Sequence, residues 1–159
     1  MTHSKIVHLS DLHFGAVSEG MAERLLRQLQ SLNHDLIVIS GDLTQRARSR
    51  EFKQAAEFIK ALPGKQLIVP GNHDLAAFDL TERLLYPWQK WRKFISPELE
   101  PTVSDTGYLG IGLNTARRLS AHLDWSRGRI NLRQLLHAEH LAKASQPEQV
   151  CLVVTHHPF

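Results

Sequence analysis

Leu36-Ile37-Val38-Ile39-Ser40-Gly41-Asp42 is a continuous apolar run that ends in a glycine and a carboxylate, the pattern of a buried strand opening onto a polar loop. Upstream, Ile6 to Ser10 reads as a first strand, and Ser18 as the N-cap of a helix whose Ala22, Leu25, Leu29 and Leu32 recur at helical spacing. Downstream, Ser49 to Ala61 reads as a second helix with Phe52, Ala56 and Ile59 on one side, stopped by Pro63-Gly64. Leu67-Ile68-Val69 is a third strand, broken by Pro70-Gly71. Further on, Leu80 to Ile95 contains Pro87 and predicts two short helices or a helix and a loop. Gly107 to Asn114 predicts a strand, Leu132 to Ala144 a helix with Leu135, Leu136 and Leu141 inward, and Val150 to Thr155 a last strand. Short apolar runs alternating with amphipathic ones make this an α/β protein.

The chain has 159 residues, 42% of them hydrophobic, which suits one domain with its own core. No apolar run approaches the roughly 20 residues that a membrane-spanning helix needs. Met1-Thr2-His3-Ser4-Lys5 leads straight into a strand, without the regions of a signal peptide. The expectation is a cytoplasmic protein. The single cysteine, Cys151, sits among Val150, Leu152, Val153 and Val154 and reads as a small core residue. A net charge of +3 is compatible with an anionic substrate. It is too small, without a binding motif among the arginines, to indicate a nucleic-acid partner.

Several of the ten histidines fall in polar clusters that follow strands. In Asp11-Leu12-His13, residues two apart near a strand end point the same way, so Asp11 and His13 can reach one metal while Leu12 faces the core. Taken alone, Asp-x-His equally suits a solvated loop. Asp42 has two oxygens and can bridge two cations, and Gly41 leaves room for close backbone approach. In Gly71-Asn72-His73-Asp74, Asn72 can offer a neutral oxygen to a metal while His73 points differently, toward substrate; Gly-Asn is also a common turn dipeptide. The last cluster is Thr155-His156-His157-Pro158. All four follow buried strands, where open α/β sheets gather their ligands, and as a set they point to a metal site.

In this order, Asp11-x-His13, Gly41-Asp42, Gly71-Asn72-His73-Asp74 and His156-His157-Pro158 resemble the signature of the calcineurin-like metallophosphoesterases. Ser10-Asp11-Leu12-His13-Phe14-Gly15 and Gly41-Asp42-Leu43-Thr44-Gln45-Arg46 are similar to the bacterial branch that includes class III cyclic-nucleotide phosphodiesterases. The resemblance implies a layered β-sandwich flanked by helices. It implies that Asp11, His13 and Asp42 hold one metal and that Asp42, Asn72 and His156 hold the other, with Asp42 as the bridge. His73 matches the catalytic histidine, expected to contact the phosphoryl group and help protonate the leaving oxygen. Arg46 falls where related protein phosphatases carry a phosphate-binding arginine. Gln45 departs from the aspartate that orients the histidine in those phosphatases. His157 stays outside the ligand set, as a neighbour of the site or an exposed residue.

The implied activity is hydrolysis of a phosphodiester, a cyclic or other small nucleotide first. A phosphomonoesterase or nuclease is the alternative within the family, and a non-catalytic metal-binding scaffold the alternative outside it. Two cations about 3.5 to 4 Å apart would neutralise the substrate and turn water into a nucleophile. Carboxylate, imidazole and amide ligands suit manganese, iron or zinc. Arg83, Arg92, Arg117, Arg118, Arg127 and Arg129 follow the third cluster, where substrate-facing loops would lie; each alone reads as a solvated side chain. Trp88, Trp91 and Trp125 read as packing residues. The family's Gly-His-x-His motif is expected after His-His-Pro and does not occur before Phe159. The sequence is therefore expected to be the N-terminal portion of a domain, incomplete at its C-terminal side. Such a chain should bind metal weakly, show little hydrolysis and self-associate through open sheet edges.

Overall fold

The computed structural model describes residues 4–18, 20–76, 80–117 and 127–158, with Leu80 described by its backbone alone. The first sheet holds the parallel strands β1 (Ile6–Leu9), β2 (Leu36–Ser40) and β3 (Lys65–Val69), in that order. Helices α1 (Met21–Ser31) and α2 (Ser49–Ala61) connect them. The second sheet holds β4 (Thr102–Asp105), β5 (Tyr108–Gly112) and β6 (Val150–Val154). In it, β4 pairs antiparallel with β5 and β5 parallel with β6. The short helices α3 (Leu80–Leu85) and α4 (Gln89–Phe94) lie on either side of Pro87, as the ring's missing N–H dictates. Helix α5 (Leu132–Lys143) precedes β6.

The two sheets pack between helical layers, a β-sandwich flanked by helices. Alternation along β2 divides its side chains. Ile37 and Ile39 join Leu29, Phe52, Phe58 and Trp91 in one core cluster. Leu36 and Val38 join Leu67 and Val69 against Tyr108 and Val154 of the second sheet. Beyond that sheet, Leu109, Ile111 and Leu113 meet Ala138 of α5, with Cys151 packed against the same cluster. No helix among the described residues is long and apolar enough to cross a membrane.

Two local expectations fail, and one strand lies where none was expected. Ser18 does not cap α1. Gly20 does, at a φ of 78°, a left-handed geometry that glycine enters without steric cost; the Ser18 carbonyl instead accepts from the Met21 N–H at 3.2 Å. Strand β4, with polar residues alternating along an edge, was not expected from the sequence. Helix α5 is rotated so that Gln134, Ala138 and Leu141 face inward, while Leu135 and Leu136 are 51% and 55% exposed. The cause is polar. The Asn131 side chain accepts from the Gln134 N–H at 3.0 Å and Gln134 returns the bond to the Asn131 N–H at 2.8 Å. The Gln134 amide then donates to the Asn114 carbonyl at 2.8 Å, and this sets the helix's rotation.

Candidate metal centre

Past the ends of β1 and β2 the two segments stay side by side. The N–H groups of Asp11, His13 and Phe14 donate to the carbonyls of Gly41, Asp42 and Leu43 at 3.2, 3.0 and 2.8 Å, and Gln45 N–H returns to the Phe14 carbonyl at 3.1 Å. The backbone is nonetheless not extended. Asp11, His13 and Asp42 have φ values of 55°, 43° and 53°, in the left-handed region that non-glycine residues rarely enter and that concentrates at functional sites. Asp11 and His13 thus reach one side by left-handed turns, not by the strand alternation expected from their spacing.

Their side chains converge on Asp42. The Ser10 hydroxyl donates to Asp11 Oδ2, while Asp11 Oδ1 lies 3.6 Å from His13 Nε2. His13 Nε2 is in turn 3.8 Å from Asp42 Oδ2. One ligand atom from each of Asp11, His13 and Asp42 lies within 4.8 Å of the others. On the opposite side, His156 Nε2 is 3.3 Å from the same Asp42 Oδ2 and 3.1 Å from Asn72 Oδ1. Asp42 Oδ1 is occupied, accepting from the His73 N–H at 2.9 Å, so Oδ2 is the oxygen that faces both groups.

The surroundings fix these atoms. His156 Nδ1 donates to the Ser40 carbonyl at 2.8 Å; a carbonyl only accepts, so Nδ1 carries the proton and Nε2 is the nitrogen a cation can use. Burial pushes the His156 imidazole toward the neutral form, but the Asp42 carboxylate outweighs it and raises the pKa above the ordinary histidine value. Burial likewise works against charge on Asp42, yet His156 and the His73 N–H hold its carboxyl below the usual aspartate value. Two glycines permit the close approach. A Cβ on Gly41 (φ 96°) would sit 2.7 Å from His156 Nδ1, and one on Gly71 would sit 2.1 Å from Asp42 Oδ1.

His73 Nδ1 donates to the backbone carbonyl of Gln45 at 2.8 Å, so the residue at the aspartate position orients this imidazole through its main chain. The His73 ring stands edge-on to that of His13, with centroids 4.9 Å apart. Asp74 had no assigned role in the sequence reading, and it ties the loops together. Its buried carboxylate accepts from the N–H groups of Leu43, Thr44 and Gly71 at 3.3, 2.9 and 3.0 Å. Burial pushes the Asp74 pKa up to about 6 despite these donors. An acid directly after Gly-Asn-His was the only available signal.

His157 is buried behind His156, its Nδ1 2.7 Å from the Thr115 hydroxyl and its ring edge-on to His156 at 4.7 Å. Burial, then His156, lowers its pKa. Arg46 is exposed, and its backbone N–H donates to Glu51 Oε2 at 2.8 Å. Arg83 corrects the solvated reading: it is buried, donating to the carbonyls of Ala76 and Arg117 at 3.1 and 3.0 Å, and burial lowers its pKa. Arg92, Arg127 and Arg129 are exposed, whereas Arg117 is half-buried and donates to the Gly128 carbonyl at 3.0 Å. Trp88 and Trp91 are core residues; Arg118 and Trp125 lie outside the described residues.

The donors present, carboxylates, imidazoles and one neutral amide, are of the kinds that suit divalent cations of the borderline class, and two of the imidazoles approach one oxygen, Asp42 Oδ2.

The family model described as calcineurin-like phosphoesterase matches residues 4–159. A probable cyclic nucleotide phosphodiesterase of Coxiella burnetii is 31% identical over 78 residues, covering 44% of this chain and 32% of that protein. The glycerophosphodiester phosphodiesterase GpdQ of Enterobacter lignolyticus is 33% identical over 81 residues, covering 43% of this chain and 29% of that protein. The matched part of this chain therefore covers about a third of the length of these two relatives. The solved phosphopantetheinyl hydrolase of Mycobacterium tuberculosis superposes with a TM-score of 0.52 at 16% identity, over 97% of this chain and 68% of that one, a likeness of fold.

Proposed function

We propose, from the premise that this chain belongs to the calcineurin-like phosphoesterase family, that it serves a two-metal phosphoester hydrolase whose substrate is a phosphodiester, a cyclic or other small nucleotide first. The observation that carries the reading is the position of Asp42 Oδ2, 3.8 Å from His13 Nε2 and 3.3 Å from His156 Nε2. The names of the bacterial relatives support the diester.

In this reading Asp11, His13 and Asp42 hold one cation, and Asp42, Asn72 and His156 the other, with manganese, iron or zinc suiting the mix. Such cations, when bound, polarise phosphoryl oxygens and acidify water. Asn72, being neutral, leaves more positive charge on the site than a further carboxylate would. His73 has its Nδ1 proton committed to the Gln45 carbonyl, so delivery of a proton to the leaving ester oxygen falls to Nε2 of the doubly protonated imidazolium. Arg46 contributes positive charge for the phosphate from the loop after Asp42.

The test is a hydrolysis profile over cyclic AMP, bis(p-nitrophenyl) phosphate, p-nitrophenyl phosphate and single-stranded DNA, with manganese and after chelation. Weak diester cleavage that chelation abolishes and manganese restores is expected of this chain, falling about a hundredfold or more in His73→Asn. Cleavage indifferent to chelation, or to that substitution, would sink the proposal.

A further inference from the structure

A groove of about 480 Å³ adjoins the donor set, and its walls include Val17, Met21, Ala22, Leu25 and Phe58, supplied by the β1–α1 loop, α1 and α2. Asp11, His13 and Gln45 line the same groove, so it adjoins two of the proposed metal ligands and the residue whose carbonyl orients His73. That volume falls within the range of small-ligand sites, which are mostly apolar with a few polar groups. Met21, in the first turn of α1, is 56% exposed, an apolar side chain turned to water beside a polar site.

A phosphodiester carries two ester substituents or, in a cyclic ester, one substituent attached twice. With its phosphate at Asp11 and His13, one substituent has this groove next to it. We infer that the groove is the seat of that substituent and takes an aromatic or other apolar, uncharged group. The inference rests on the phosphodiesterase reading above. The adjoining part of the groove, about 370 Å³, shares Val17, Ala22 and Phe58 and adds Glu23 and Glu57; these carboxylates disfavour a substituent that bears a second anion.

The chain has two methionines, Met1 and Met21, so ¹³C-methyl methionine spectra isolate the groove. The zinc-loaded protein is titrated with diphenyl phosphate and with dimethyl phosphate, following the phosphorus line of each ester and the methionine methyls. Diphenyl phosphate should bind about tenfold tighter, from burial of a phenyl ring, and should shift the Met21 methyl while dimethyl phosphate does not. Met21→Ser should reduce the preference about threefold. Equal affinities, or a Met21 methyl unmoved at saturation, overturn the groove assignment alone, because binding of dimethyl phosphate still reports the phosphate site. If neither phosphorus line responds, both the groove and the phosphoester reading fail.

Discussion

The two sheets are each three-stranded yet are built for different ends. β2 is buried at all five of its positions, covered by helices on one face and by the second sheet on the other. β6, the strand that leads to His156, leaves Val150 and Val153 60% and 50% exposed. All the candidate ligands except His156 follow strands of the first sheet, on loops cross-tied by Asp74 and by the backbone bonds between the segments around Asp11 and Asp42. The strained φ values occur here because the surrounding bonds over-determine the backbone. His156 comes from the second sheet and is held by a carbonyl of the first, that of Ser40. One sheet builds the centre and the other closes it.

The hardest blow to that arrangement is Asp42→Asn. The amide oxygen can still accept from the His73 N–H, but an uncharged NH₂ group then faces His13 and His156. Zinc affinity, read by calorimetric titration, should fall on the order of a hundredfold or more. Asp11→Asn, at a side chain 54% exposed, should weaken one half of the centre only. Equal losses from the two changes would refute the shared-oxygen geometry.

Next comes the glycine cradle. In Gly71→Ala the new Cβ would meet the Asp42 carboxylate and its backbone N at 2.1 and 2.4 Å, the second a main-chain atom that cannot swing aside. In Gly41→Ala, left-handed strain adds to contact with His156 and with the Gly71 backbone. Each should cost about 2–3 kcal/mol in urea unfolding. Gly20→Ala is the control: its φ is 78°, but the nearest atom, Glu23 Oε2, is 4.0 Å away, so only about 1 kcal/mol of backbone strain is expected. A Gly41 loss no larger than that of Gly20 would mean that the sheets do not press on each other at this point.

The first sheet was the more legible in the sequence. Leu36 to Ile39 announces a strand without a polar face, and Pro87 divides α3 from α4 because a proline ring cannot continue a helix. The four polar clusters could be read as one site because each follows a strand end. What could not be read depends on distant partners. Nothing local to Asp11 or His13 signals a positive φ; cross-loop hydrogen bonds impose it. Arg83 is buried because carbonyls of Ala76 and Arg117 happen to receive it. The rotation of α5 follows from Gln134 meeting Asn114 across the fold, which outweighs an apolar pair pattern that had Leu135 and Leu136 inward.

In the proposed centre, proton and metal would compete where the two sheets meet. His156 is raised above 6.5 by Asp42, while Asp42, lowered, stays ionised through that range. In the metal-free protein this ion pair's stabilisation is fully present below pH 6.5, the ordinary histidine value, and is lost as pH rises through the folded-state value. In the proposed centre metal binding would run the other way, because the imidazole must shed its proton; zinc affinity should then fall about tenfold per pH unit below the folded-state pKa. Thermal melts should show the zinc-induced rise in Tm growing with pH across this window while the metal-free Tm drifts down. His156→Gln should flatten both slopes. Unchanged slopes in that variant would assign the titration elsewhere and separate His156 from the centre.

The smallest effect belongs to the outer face of the second sheet's helix. Leu132, Leu135 and Leu136, at helical spacing, are 70%, 51% and 55% exposed, so Leu136→Lys removes little buried surface and exchanges one good helix former for another. Its unfolding free energy should stay within about 0.5 kcal/mol of the parent. Ala138→Lys, two residues on and 9% exposed, must drive a charge toward Ile111 and Leu113 and should cost several-fold more. The comparison is sharp because periodicity alone gives the opposite ranking, with Leu136 inside. A Leu136 variant as damaged as the Ala138 one would mean that α5 is turned by about a quarter, and that the Asn131–Gln134–Asn114 bonds do not set its rotation.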